Sequence, residues 1–299
     1  MMILDTQVVD KKTVDPMKVL EGVELVGGRV NTDDEQLLAN IRSAIRLGHP
    51  QIKPQGLNVD RVAIVGGGPS LESTLPELRQ CLAEGVKVVT VNGAYGWCIE
   101  RNIIPTMQIV MDARETNARF LIPELPRCHY VLASQCHPLL WNQVKGRKNV
   151  WIYHVGVGEE GTPVRKILDD YYLGNWHGVG GGTTVGTRAL VLLRLLGYLR
   201  FDLFGMDSCW LGDSHHAYAQ PENADDKRLM FRCSPTGSTG VGKVFYCAPW
   251  HVQQAQDFLQ LIRFQGNQFG VISVHGEGLL AEIMRSMADV ELREEKGAS

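Results

Sequence analysis

The chain has 299 residues, of which 44% are apolar and 21% charged, and a formal charge of −3. This is globular composition and excludes wholesale disorder. The near-balanced charge argues against a sequence-independent nucleic-acid binder and a polybasic membrane anchor. At roughly 100–200 residues per domain, the length accommodates one large domain or two small ones.

The first residues carry no basic region leading into an apolar stretch, so no signal peptide is expected. The longest apolar stretch, residues 189–199, is interrupted by Arg194 and falls short of the ~20 residues of a spanning helix. Seven cysteines lie scattered without a CxxC pair. They read as reduced thiols in a cytoplasmic protein. Glycine stands out, with 32 residues clustered at 66–68 and 178–182, where turns bring backbone close to a partner.

In chain order, residues 1–58 read as an N-terminal extension with one helix. Cap residues at 31–35 precede Leu37, Leu38, Ile41, Ala44 and Ile45 at helical spacing. Residues 51–60 read as a connector. Strands are expected at 62–65, 86–91, 107–111, 130–133, 150–154, 201–204 and 271–274. Helices are expected at 71–85, 95–101, 114–120, 183–196, 252–264 and 278–287. Strands alternating with helices predict an α/β, Rossmann-like, doubly wound and mainly parallel sheet over residues 59–290. An irregular insertion spans 214–250, its end at 242–246 forming one arm of a hairpin. The tail 291–299 is charged and reads as frayed.

Five constellations carry chemistry. Gly66, Gly67 and Gly68 end the first strand of the sheet, and Ser70 follows near a helix start, suiting a phosphate or carboxylate; a plain tight turn is the competing reading. Asn92 follows the second strand, where it can read a base, a ribose or a carboxylate; taken alone, Asn92-Gly93 reads as a plain turn. Asp112 follows the third, at the sheet edge where open α/β folds bind ligands, and suits Mg²⁺ or a helix cap. Gly181, Gly182, Thr183 and Thr184 open an apolar helix, where hydroxyls and free N–H groups converge on an anion or the glycines permit close packing. Asp207 follows the 201–204 strand, with Asp213, His215 and His216 close behind as acid/base, metal or phosphate-binding groups. No zinc motif is present.

This ordered series resembles the 6-hydroxymethylpterin diphosphokinase MptE-like family, a group also found in flagellin-modifying glycosyltransferases. The resemblance is carried by Gly-Pro-Ser-Leu at 68–71, Asn92, Asp112, the Gly-Gly-Thr-Thr-Val-Gly helix start and Gly-Met-Asp at 205–207 with His216-Ala217. It implies a Rossmann-like domain and diphosphate transfer from ATP to a pterin with Mg²⁺. The Gly-Pro-Ser-Leu and Val-Asn pattern also looks like bacterial sialyltransferases that use a CMP-linked sugar. The expected function is a nucleotide-dependent transferase, in first place diphosphate transfer from ATP to a small hydroxymethyl acceptor. Mg²⁺ would be held by Asp112 and Asp207, the nucleotide by the glycine loops, Ser70, Asn92, Thr183 and Thr184, with Asp207, His215 and His216 catalytic. The alternatives are a glycosyltransferase using a nucleotide-sugar and a glycan acceptor, or a non-catalytic nucleotide-binding protein. Neither a nucleic-acid partner nor a membrane span is expected, and self-association into a homo-oligomer is left open.

Overall fold

Each buried strand of a parallel sheet reads as an unbroken apolar run, because both its faces are covered. In the computed structural model such runs become β2 (Asn58–Val65), β3 (Lys87–Val91), β4 (Met107–Val110), β5 (His129–Ala133) and β6 (Val150–Val155). With β7 (Gly178–Val179), β8 (Tyr198–Phe204) and β11 (Val271–Val274) they form an eight-stranded sheet in the order β11-β8-β2-β3-β4-β5-β6-β7. Helices α1 (Asp34–Ile45), α2 (Leu75–Ala83), α3 (Ala94–Glu100), α4 (Pro138–Gln143), α5 (Pro163–Tyr172), α6 (Val185–Leu195), α7 (Pro249–Gln265) and α8 (279–287) complete an α/β, Rossmann-like fold. The structure describes residues 3–9, 32–156, 161–219, 230–236, 243–265 and 270–287. The tail expected at 291–299, and residues 220–229 and 237–242 of the expected insertion, lie outside them.

The chain divides into two units. The larger takes residues 29–66 and 81–201. Its strands pair in parallel, with Ile64 opposite Val89, Thr90 opposite Gln108, Val110 opposite Leu132, Leu132 opposite Ile152 and His154 opposite Gly178. Gly66, Asn92 and Asp112 follow the carboxyl ends of β2, β3 and β4, so they share one edge of this unit. Ile64, Val89, Ile109, Val131, Ile152, Leu190 and Leu193 fill the core. Helix α1 starts as its sequence predicts: Asp33 accepts the Gln36 N–H (2.8 Å), and Ile41, Ala44 and Ile45 are buried.

The smaller unit takes residues 1–28, 67–80 and 202–299. In it β1 (Ile3–Val9) pairs antiparallel with β9 (Met230–Thr236), which pairs antiparallel with β10 (Phe245–Cys247). The hairpin arm expected at 242–246 is this last strand. Phe204, Met206, Phe258, Leu279 and Ile283 are buried.

Several boundaries differ from the sequence reading. Strand β2 begins inside the expected connector, at Asn58, because exposed residues such as Val59 extend the run before burial begins. The helix expected from Leu71 is a 3-10 turn, Pro69–Leu71, followed by α2. The helix expected over 114–120 is a 3-10 helix, Glu115–Leu121. All six cysteines with described side chains are free and buried. Among the described residues no helix is long and apolar enough to cross a membrane.

Candidate functional site

In the larger unit, β4 leads through Met111 to Asp112. The Asp112 carboxylate is gripped by Arg114: Nε lies 3.1 and 3.0 Å from its two oxygens, a terminal nitrogen lies 2.5 Å from Oδ2, and the Arg114 backbone N–H donates to Oδ1 (3.0 Å). Charge-assisted forked pairs of this kind are strong and directional. The Arg114 side chain nevertheless keeps 36% of its surface exposed.

The second glycine cluster lies in the same unit. Gly181 (φ +108°) and Gly182 (φ +90°) use left-handed backbone to turn the chain from β7 into α6. Thr184 caps α6, accepting the Thr187 N–H at 3.4 Å. Gly181 also permits contact: a Cβ there would stand 2.5 Å from Val191 Cγ2. One turn into α6, Arg188 is only 8% exposed. Its guanidinium donates to the carbonyls of Val179 and Gly182, and its Nε lies 3.1 Å from Met111 Sδ. This side chain ties the glycine turn to the end of β4, so it brings Asp112 and residues 181–184 into one cluster.

Asn92 stands at the end of the neighbouring strand with φ +46°. Its N–H donates to Ile109 O (3.1 Å), and its own carbonyl accepts from Gln108 Nε2 (2.9 Å). Its Oδ1 is buried without a hydrogen-bond partner.

In the smaller unit, Gly67-Gly68-Pro69-Ser70 runs against the segment after β8. Gly68 N–H donates to Gly205 O (2.8 Å), and Ser70 N–H donates to Asp207 Oδ2 (2.9 Å). Asp207 is 3% exposed. A Cβ on Gly68 would fall 2.2 Å from Asp207 Oδ2, and one on Gly278 would fall 2.5 Å from Asp207 Cα. The backbone oxygen of Asp207 accepts the Leu279 N–H at the start of α8 (2.7 Å). Burial raises the Asp207 carboxyl above its ordinary range, against the Ser70 N–H, which favours the ionised form. The Ser70 hydroxyl also favours ionisation, without a hydrogen bond of good geometry.

Residues 215–218 lie on Gly67: Ala217 N–H donates to Gly67 O (3.0 Å), and a Cβ on Gly67 would stand 2.5 Å from the Tyr218 hydroxyl and 3.1 Å from His216 Cδ2. An aromatic group surrounds them. The His215 ring centroid is 4.3 Å from Trp210, 4.6 Å from His216 and 6.3 Å from His251. Burial first, then the charge on His215, lowers His216 to about 4. Burial, then His215 and His216, lowers His251 to about 3. Both are neutral at pH 7.

The sequence-derived residues thus fall into two clusters. Gly67, Gly68, Ser70, Asp207, His215 and His216 meet in the smaller unit, while Asn92, Asp112, Gly181, Gly182, Thr183 and Thr184 gather with Gly66 along the carboxyl edge of the larger. Arg188 and Tyr218 were not foreseen. Asp112 is committed to Arg114 and Asp207 to the turn around it, and among the described residues no group of three or more His, Cys, Asp or Glu is placed to hold a metal.

A parallel sheet flanked by helices, with glycine turns and buried polar groups after its strands, defines an α/β Rossmann-like fold. The chain belongs to the 6-hydroxymethylpterin diphosphokinase MptE-like family, whose profile matches residues 35–213. Among solved structures, the MAf glycosyltransferase from Magnetospirillum magneticum AMB-1 aligns with a TM-score of 0.56 at 11% identity, over 86% of this chain and 42% of that one. The chain therefore spans less than half of that protein, and the likeness is one of fold. A mammalian sialyltransferase aligns with a TM-score of 0.40 at 15% identity, over 84% of this chain and 81% of the other. No curated protein sequence matches.

Proposed function

We propose that the protein is a transferase that uses a nucleotide-linked donor, and that Arg114, Arg188 and the turn at 181–184 receive the donor's phosphates. The observation that carries this reading is the Arg188 guanidinium, buried at a glycine turn beside the end of β4. A cation fixed before the ligand arrives needs no reorganisation as negative charge builds on a leaving phosphate. The N-terminus of α6 adds backbone N–H groups to the same place.

The same geometry favours a nucleotide-sugar over Mg²⁺-dependent ATP as donor. A metal at Asp112 would compete with a guanidinium already bound through three contacts, so the two arginines supply the positive charge that a metal supplies elsewhere. Diphosphate transfer from ATP to a pterin-like acceptor is the second reading, supported by the family's description.

A melting-shift panel with ATP, CMP, CMP- and UDP-linked sugars, each with and without Mg²⁺, tests both. A nucleotide at 100 times its Kd should add about 2.7 kcal/mol of stability. A shift with a nucleotide-sugar that EDTA leaves intact supports the preferred reading. One confined to ATP with Mg²⁺ moves the assignment to diphosphate transfer, and no shift with any nucleotide sinks both. Arg114→Met should weaken the bound nucleotide by about tenfold or more, as expected for the loss of one charged hydrogen bond. An unchanged Kd would remove Arg114 from the phosphate site.

A further inference from the structure

The helix of the N-terminal extension, α1, carries one residue that its own stability does not call for. Its inward face is apolar, with Ile41, Ala44 and Ile45 buried. Asn40 shares that burial, at 0% exposure. Asparagine is a poorer helix former than leucine, and a buried amide costs free energy unless it is bonded. Here both ends of the amide are used. Oδ1 accepts from Gln36 Nε2 (2.8 Å), and Nδ2 donates to the carbonyls of Gln135 (3.0 Å) and Ala113 (3.3 Å). The chemistry fixes this orientation, since a flipped amide would set an acceptor against two carbonyl oxygens.

Those two carbonyls belong to the loops that follow β5 and β4. Gln135 in turn donates from Nε2 to Met111 O (2.9 Å). Asp112 therefore stands between two residues, Met111 and Ala113, whose carbonyls are both held by side chains from elsewhere in the chain. Just before them, Val110 O accepts from the Cys136 thiol (3.5 Å) and the Tyr153 hydroxyl (3.4 Å). Just after them comes Arg114, whose backbone N–H and guanidinium close on the Asp112 carboxylate. The bonds thus run from a helix of the extension to the guanidinium that receives the donor's phosphates, and all of these residues belong to the larger unit.

We propose that Asn40 is a positioning residue of the donor site, with Gln135 as its partner: together they fix the 111–114 loop so that Arg114 meets the donor's phosphates without rearrangement. The assignment rests on the transferase reading, which places phosphate at Arg114. Asn40 acts through Arg114 and does not touch the ligand. A cation held in place before binding needs no reorganisation, whereas a loop that must first be ordered subtracts that cost from the affinity. The extension thereby becomes part of the frame of the donor site.

The test is a double-mutant cycle on the full chain, with Asn40→Leu and Arg114→Met. The probe is whichever of ATP, CMP and the CMP- and UDP-linked sugars shifts the wild-type melt most. Leucine fills the space of the amide and donates nothing. Asn40→Leu should weaken the probe by about three- to tenfold, as expected for the loss of one hydrogen bond. Joined to Arg114→Met, it should add less than about twofold to the loss that Arg114→Met causes alone, because residues that act through one another are not additive. The Arg114 amide N–H, held by Asp112 Oδ1, should exchange with solvent about tenfold faster in Asn40→Leu, while the amides of β3 keep their wild-type rates, as a loosening confined to the loop requires. Gln135→Met breaks the same clasp from a half-buried position and takes the place of Asn40→Leu if that variant does not fold. Losses that multiply in full, or a Kd that neither variant changes, overturn the positioning role alone. A wild type that binds no nucleotide of the panel overturns the transferase reading, and this assignment with it.

Discussion

Gly68→Ala should lower the melting temperature of the full chain by roughly 6–12 °C, corresponding to about 3 kcal/mol of overpacking in a chain of this size. A methyl group there would sit 2.2 Å from Asp207 Oδ2 and 2.7 Å from Gly205 O. Neither oxygen can withdraw. The carboxylate is held by the Ser70 N–H, and the carbonyl is bonded to Gly68's own N–H. Gly67 is the control, one residue away. Its methyl would meet the Tyr218 hydroxyl and the edge of His216, which are the outer ends of side chains and can swing aside. Gly67→Ala should therefore melt within a few degrees of wild type, and Gly67→Val should stay folded while weakening any nucleotide that reaches this turn. Thermal melts of the three variants check this. If Gly68→Ala melts with wild type, the Asp207 clamp is not rigid and Asp207 returns as a group free to act on a ligand.

The contrast between these two glycines shows what a sequence reveals and what it hides. The strands β2 to β6 were legible because burial on both faces writes itself as an apolar run. Helix α1 was legible because its cap and its buried face lie within thirteen residues. Strand β7 has two residues and no pattern to read. The pairing of β1 with β9 joins segments more than two hundred residues apart. The chemistry divides in the same way. Asn92 and Asp112 stand directly after apolar runs, so their place at the sheet edge follows from counting. That Asp112 would be taken by Arg114 does not follow, since an acid after a strand suits a metal equally well. Arg188 read as one residue of an apolar helix, because the two carbonyls that make its burial tolerable, Val179 in β7 and Gly182 in the turn after it, are invisible as partners in the sequence. Asn40 meets Ala113 across 73 positions, and only the folding of α1 onto the loops after β4 and β5 creates that bond.

Acidification should unfold the protein well before its carboxylates are all protonated. His154, His216 and His251 are lowered to about 4, about 4 and about 3, burial being the first cause in each. An unfolded histidine titrates near 6.5. Between pH 6.5 and about 4 the unfolded chain therefore binds protons that the folded chain refuses. Stability conferred by the neutral rings is complete above 6.5 and is lost as pH falls through that window. For a fully buried ring the loss reaches about 2 kcal/mol at pH 5, an upper bound from 1.36 kcal/mol per pKa unit. His154 (1% exposed) and His251 (6% exposed) approach this limit, whereas His216 is half-buried and contributes less. Asp207 acts in the opposite direction. Its carboxyl is raised, so the fold takes up its proton more readily than the unfolded chain, and acid relieves that strain. One carboxyl against three imidazoles leaves a net loss of several kcal/mol, a large share of a typical total of 5–15. His154 is the residue to change. Both its ring nitrogens are buried without hydrogen-bond partners, between Tyr172 (5.1 Å) and Trp176 (5.9 Å). His154→Phe keeps a ring in that slot and removes the titrating group. Urea unfolding at pH 7 and pH 5 should show the gap between the two pH values narrowing by about 1–2 kcal/mol relative to wild type. An unchanged gap would mean that the folded protein protonates His154 as readily as the unfolded chain does.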